Sequence, residues 1–137
     1  MIINAQRQIL GRMAAIAAKK ALLGEDVKII NCEQAVITGR KNTIIRDYSK
    51  KLELGQPQQG PFMQKRPDMF VRRVIRSMLP RKQFKGRQAF ERVKCYIGTP
   101  EGLTEKATTP KESALAATTR FPHITVGELC MHRGGRR

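Results

Sequence analysis

The chain has 137 residues, with 27 Lys and Arg against 11 Asp and Glu, a net charge of +16. That length suits one domain, and 40% hydrophobic residues supply a core and exclude a tail too polar to fold. No apolar run approaches the roughly 18 residues a membrane span needs, three scattered cysteines do not make a secreted disulfide scaffold, and the excess charge calls for a polyanion, nucleic acid before an anionic membrane surface.

Ile2 and Ile3 open a short strand. Leu10, Met13, Ala14, Ala17 and Ala21 then fall at helical spacing, and Gly24 stands where a helix should stop. Residues 1–24 carry Arg7, Arg12, Lys19 and Lys20 with no acid, which is also how a mitochondrial transit peptide is composed. The strand-and-helix reading accounts for the same residues as the start of a folded domain. Val27 to Asn31 predicts a buried strand, and Ala35 to Thr38 a second apolar piece ending at Gly39. Ile44, Ile45, Tyr48 and Leu52 restore a helical rhythm over 40–53, with Lys50 and Lys51 suiting the dipole at its end. This alternation predicts a βαβ unit and a parallel sheet.

Residues 54–69 break the rhythm with Gly55, Pro57, Gly60, Pro61 and Pro67, and predict a long functional loop. A helix follows over 69–79. At about 100° per residue, Phe70, Val71, Val74, Ile75 and Met78 share an arc of about 140°, and Arg72, Arg73 and Arg76 fall opposite. One face is built for a core, the other is an arginine ridge. Pro80 stops the helix, and Arg81, Lys82, Lys85, Gly86 and Arg87 follow as a basic turn leading into a short helix near 86–92. Val93, Cys95 and Ile97 alternate as a strand. Residues 99–122 predict a surface excursion with a short helix near Ser113 to Ala117. His123 falls in a loop, and Thr125 and Glu128 have the spacing of a capping box. Arg133 to Arg137 close the chain as a frayed basic tail, 130–137 in all, and there is no internal repeat.

The charge is concentrated. Residues 63–94 hold 11 basic residues against Asp68 and Glu91. A solvating surface interleaves both signs; this window repels itself unless a polyanion neutralises it. Its ridge is arginine, whose fork pairs bidentately with phosphate. Five Phe, two Tyr and no Trp leave few platforms for stacking single-stranded bases, so phosphate and shape recognition of structured RNA fits better. The alternatives are weaker. A nucleotide-using enzyme should carry GxGxxG or GxxxxGK[ST], and neither occurs. Thr38, Gly39, Arg40 and Lys41 form a strand-to-helix turn whose amides suit a phosphate of either a nucleotide or an RNA. His123 and His132 sit in no triad or metal motif, Cys130 and His132 lack a second ligand pair, and Glu33 and Asp47 have no acidic partner, so neither catalysis nor a metal has support. A membrane-surface anchor over 63–94 fails because its apolar stripe is committed to the core.

Two long segments carry a resemblance. One runs from Ile3 to Gly39, with Leu10-Gly11-Arg12, Asn31-Cys32-Glu33 and Ile37-Thr38-Gly39; the other from Arg66 to Pro100, with Met78-Leu79-Pro80, Gly86-Arg87 and Val93-Lys94. In order and spacing these resemble the universal large-subunit ribosomal protein L-thirteen family, and Ile124 to Leu129 resembles its archaeal branch. The likeness is weakest at 54–65 and 101–122. It implies an α/β fold, a single three-layer α/β/α domain over 1–137 with a small parallel sheet and basic loop extensions. It also implies a non-enzymatic structural constituent of the large subunit, in the cytoplasm, that joins early in assembly. Its partners would be large-subunit ribosomal RNA and neighbouring large-subunit proteins, with no cofactor, metal, membrane or small-molecule substrate. RNA contact is then expected at Gly11 and Arg12, at Thr38, Gly39 and Lys41, at Lys65, Arg66, Arg72, Arg73 and Arg76, and at Arg81, Lys82, Lys85, Gly86 and Arg87. Ser77 departs from the glycine usual in the family before Met-Leu-Pro, which puts a close backbone approach there in question.

Overall fold

The computed structural model describes residues 1–56, 58–60, 62–103, 107–114 and 121–135. The first βαβ unit is β1 (Ile2–Asn4), α1 (Leu10–Leu22) and β2 (Val27–Ile30). α1 forms because its alanines favour helix, and Gly24 ends it in the left-handed conformation at φ 96°. Gly24 N–H donates to the Ala21 carbonyl and Glu25 N–H to that of Lys20, a Schellman closure that satisfies the last carbonyls. β1 and β2 pair in parallel, Ile3 opposite Ile29.

After β2 the chain turns sharply. Asn31 is left-handed at φ 55°, a conformation Asn tolerates better than most residues. Its Nδ2 donates to Asn4 Oδ1 at 3.0 Å. A 3-10 turn (Cys32–Gln34) and β3 (Val36–Thr38) follow. β3 lies outside the parallel sheet. It pairs antiparallel with β6 (His123–Thr125), Ile37 opposite Ile124. The connection from β2 explains this, because a parallel crossover needs about a dozen residues or more and only 31–35 separate the two strands. α2 (Lys41–Glu53) completes the first half of the chain.

The second half begins with α3 (Pro67–Met78), which starts inside the stretch expected to be loop, with Pro67 in its first turn and Asp68 suiting the dipole there. α4 (Phe84–Glu91) and β4 (Val93–Cys95) follow, then β5 (Ala107–Thr108), a 3-10 turn (Lys111–Ser113), and α5 (Val126–His132) after β6. The strand order is β4-β2-β1-β5, parallel throughout. β5 had no sequence signal. It is two residues long and adds to the edge of β1 from within the excursion. Of the short helix expected near Ser113 to Ala117, residues 115–117 lie outside the described residues.

The core follows from strand alternation. Ile3, Val27, Ile29 and Val93 are fully buried on one sheet face, under α1, α3 and α4. Ala14, Ala17 and Ala21 carry so little bulk that α1 packs tightly on α3, whose Phe70, Val71 and Ile75 fill the seam. Burying each such large apolar side chain contributes roughly 1.5–3 kcal/mol. Met78 departs from the expected core face. It lies at the end of α3 and is 41% exposed.

Two further readings change. His123, expected in a loop, opens strand β6 and is exposed. The start of the tail, expected to be frayed, continues directly from α5. Gly134 N–H donates to the Met131 carbonyl and Gly135 N–H to that of Cys130, a second Schellman closure. The expected capping at Thr125 is present, with Oγ1 accepting from Glu128 N–H at 3.2 Å.

Candidate nucleic-acid interface

A cationic surface lies where α3 ends and the chain turns into α4. Leu79 is buried, and Pro80 ends the helix because a prolyl residue has no N–H and disfavours helix before it. Gly86, on the first turn of α4, lies against that turn. A Cβ there would sit 2.2 Å from the Pro80 carbonyl oxygen and 2.5 Å from its carbon. Gly86 is buried, so it shapes the turn while Arg81, Lys82, Lys85 and Arg87 around it stay exposed. Arg73, Arg76, Ser77, Leu79, Arg81 and Lys82 line one open depression of about 360 Å³. Four cations around one concave surface suit a bent phosphate chain. The Ser77 hydroxyl is spent on its own helix, donating to the Val74 carbonyl at 2.7 Å.

The arginine ridge is divided. Arg76 is exposed and projects into the depression. Arg73 also borders it, and its Nη1 donates to the Phe62 carbonyl at 2.5 Å, tying loop to helix. Arg72 is only partly exposed. Its guanidinium lies 4.5 Å from the centre of the Phe90 ring, and its Nε is buried with no partner among the described residues. Helical spacing set Arg72 on the ridge opposite the core face; the neighbouring α4 makes it pack rather than project.

The other expected positions fall into separate groups. Gly11 and Arg12 are exposed in the first turn of α1. Thr38 and Lys41 are exposed where β3 meets α2, and Gly39 between them takes φ 134°. Lys41 Nζ is 3.5 Å from Glu128 Oε2, which ties this turn to α5 rather than to the arginine depression. Lys65 and Arg66 are exposed just before α3. Arg66 makes two bonds to the Asp68 carboxylate, at 2.9 and 3.2 Å; its side chain is 68% exposed and that of Asp68 only 13%.

A feature shared by three of these places was not legible as such. α1, α2 and α4 each begin with no acidic residue in the first turn and no side-chain cap. Their first amides are left for water or a ligand, and the positive end of each dipole is unopposed. Gly11 and Arg12 sit at the first such end, Thr38 to Lys41 at the second, Arg81 to Arg87 at the third. Arg40, the residue before α2, is exposed there as well.

Sequence reasoning also missed Arg133. Its three guanidinium nitrogens are buried and have no hydrogen-bond partner among the described residues. Its charge acts on Tyr48 and Cys130, but burial outweighs it and pushes both their pKa values up. No signal in the RGGRR sequence marks this, because burial depends on neighbours brought up by the fold and not on the residues beside it. The Cys32 thiol is also pushed up, by its hydrogen bond with Cys95 and by burial. Among the described residues no group of three or more His, Cys, Asp or Glu could hold a metal ion, and no helix is long and apolar enough to cross a membrane.

The profile of the family described as Ribosomal protein L13 matches residues 1–102. The chain belongs to that family. Among its relatives, the large ribosomal subunit protein uL13 of Methanopyrus kandleri is 44% identical over 97% of this chain and 86% of its own length. The uL13 of Methanocaldococcus jannaschii is also 44% identical, over 98% of each chain. That of Haloarcula marismortui is 38% identical over the whole of this chain and 92% of its own. Membership of the L13 family makes the chain a ribosomal protein of archaeal type, a structural component and not an enzyme. It also places the depression between α3 and α4 on a protein whose family works in a ribonucleoprotein.

Proposed function

We propose that this chain, folded as one domain, binds large-subunit ribosomal RNA in the cytoplasmic ribosome and joins the subunit early in assembly. The observation that carries this reading is the depression lined by Arg73, Arg76, Arg81 and Lys82. Their charges have no acidic partner there among the described residues. Phosphate contacts fix position without reading sequence, so the shape of the folded RNA selects the site. Lys85 and Arg87 extend the surface along α4, and the open amino ends of α1 and α2 supply further phosphate contacts at Gly11, Arg12, Thr38, Gly39 and Lys41. Lys65 and Arg66 reach RNA from the loop before α3, where Arg66 exchanges Asp68 for phosphate. Gly86 and Arg72 serve indirectly, by holding the turn and by packing α3 on α4. An early place in assembly accords with a +16 chain that gains most when RNA neutralises it.

The test is binding to large-subunit rRNA fragments against a random duplex, across a salt series. One fragment should be preferred, with log affinity falling linearly in log salt. Arg76→Ala and Arg81→Ala should each shallow that slope by about 0.7–0.9 for every phosphate released and leave stability within about 0.5 kcal/mol. Arg72→Ala should instead lower stability by about 1 kcal/mol through its lost ring contact. Equal binding to every RNA, or slopes indifferent to Arg76 and Arg81, would sink the assignment.

A further inference from the structure

One concave surface has the opposite chemistry. A cavity of about 370 Å³ opens where the 3-10 turn after β2, the amino end of α3, the loop after β4 and helix α5 meet. Its apolar walls are Pro67, Ile97, Cys130 and Met131; Ile97 and Met131 are each 43% exposed. Gly127 forms part of the floor, because a Cβ there would come within 3.1 Å of the Glu33 carbonyl oxygen. Glu33 and Glu128 stand at its edge, and no Lys or Arg lines it. Lysine and arginine make up 27 of 137 residues, so a concavity lined by two of the 11 acids and by no Lys or Arg departs from the rest of the molecule.

Both carboxylates keep acceptor capacity. Glu33 Oε2 accepts from Gly98 N–H at 3.1 Å, which uses one lone pair of four. Glu128 Oε2 faces Lys41 at 3.5 Å, a half-exposed pair of small worth. No Lys or Arg lines the cavity to pair with the phosphate of an RNA strand or a nucleotide. A free apolar wall flanked by carboxylates is instead complementary to a peptide carrying an aliphatic side chain next to Lys or Arg.

We infer that the cavity between Glu33, Ile97, Glu128 and Met131 is the docking site for a basic, aliphatic segment of another large-subunit protein. The aliphatic side chain enters between Ile97 and Met131, and the adjacent cation pairs with Glu33 and Glu128. This inference rests on the chain's place in the large subunit and gives the protein a protein-facing side away from its cationic depression.

The experiment places p-benzoylphenylalanine, a photo-crosslinking residue, in place of Met131 or of the exposed Gln34, in cells whose large subunits are then purified and irradiated. Digestion and mass spectrometry identify what each position touches. The expected result is one crosslinked segment from another large-subunit protein, with Lys or Arg beside Leu, Ile, Val or Met. Glu128→Gln should lower the yield from position 131 several-fold. Crosslinks to rRNA, to an acidic segment or to this chain's own residues would overturn the docking site, as would no crosslink from either position in subunits that contain the protein. Entry into subunits, followed by sedimentation, is a separate readout. A protein that enters and crosslinks only to RNA removes the docking site and leaves the RNA-binding reading intact. One that never enters removes both.

Discussion

Gly86 illustrates how a residue without a side chain can position a charged surface. Its α-carbon lies where any Cβ would meet the Pro80 carbonyl at 2.2 Å, and the obstacle is backbone, which cannot swing aside as a side chain could. Gly86→Ala gains about 1 kcal/mol in helix propensity but forces the Pro80–Arg81 turn outward, at about 1–3 kcal/mol for overpacking. We expect a net loss of stability, seen as a lower urea midpoint, and a weaker RNA affinity because Arg81 and Lys82 move with the turn. An unchanged midpoint would show that the turn relaxes freely. The sequence marked Gly86 as a site residue through family resemblance. Its burial, and hence its indirect role, depends on a contact with Pro80 six residues away that no local pattern encodes. Asn31 is a similar case. It was expected as the last residue of a strand, but β2 ends at Ile30, and the left-handed backbone of Asn31 and its hydrogen bond to Asn4 turn the chain out of the sheet.

At the scale of elements, helical periodicity performed best. α1 and α2 fall where the apolar spacing put them, and Gly24 closes α1 as expected. The capping position before α5 was legible too, because Thr125 and Glu128 are three residues apart and the contact is local. Since α5 is only seven residues long, its own helix energy is small and the cap matters. Thr125→Ala should lower stability by about 1 kcal/mol; a circular-dichroism melt is the direct measurement, and no shift would mean that packing alone holds α5. The short strands were less legible. β5 and β6 owe their extended form to partners distant in sequence, β1 and β3, so alternation over two or three residues could not announce them. The arginine ridge was half legible. Arg73 and Arg76 line the depression as the helical wheel requires, while Arg72 is taken up by Phe90 of α4.

Taken whole, the molecule is a basic shell around a neutral core, and its pH response follows from groups buried without charge. Cys32 and Cys130 have thiol pKa values raised above their ordinary 9.0, Cys32 by its hydrogen bond with the free Cys95 thiol and by burial, Cys130 by burial. Burial likewise raises Tyr48 above 10.0. A raised folded pKa means that the unfolded chain ionises first, so stability is fully present below pH 9 and declines as pH rises past 9 to 10. Urea midpoints with thiols kept reduced should be level from pH 7 to 8 and fall between pH 9 and 10.5. The fall should be shallower in a Cys32→Ala, Cys130→Ala double variant. A midpoint that rises over that interval would contradict the burial of these groups. The amino-acid sequence by itself determined the α/β class, the long helices, the excess of positive charge and the arginine-rich window, because composition, periodicity and charge are local sums over neighbouring residues. Only the tertiary structure decided which cations share a depression, which arginine packs on Phe90, where β3 finds its partner and where an acid-edged apolar cavity interrupts the positive surface. Each of those is a contact between residues far apart in the chain, and such contacts exist only once the core has brought their elements together.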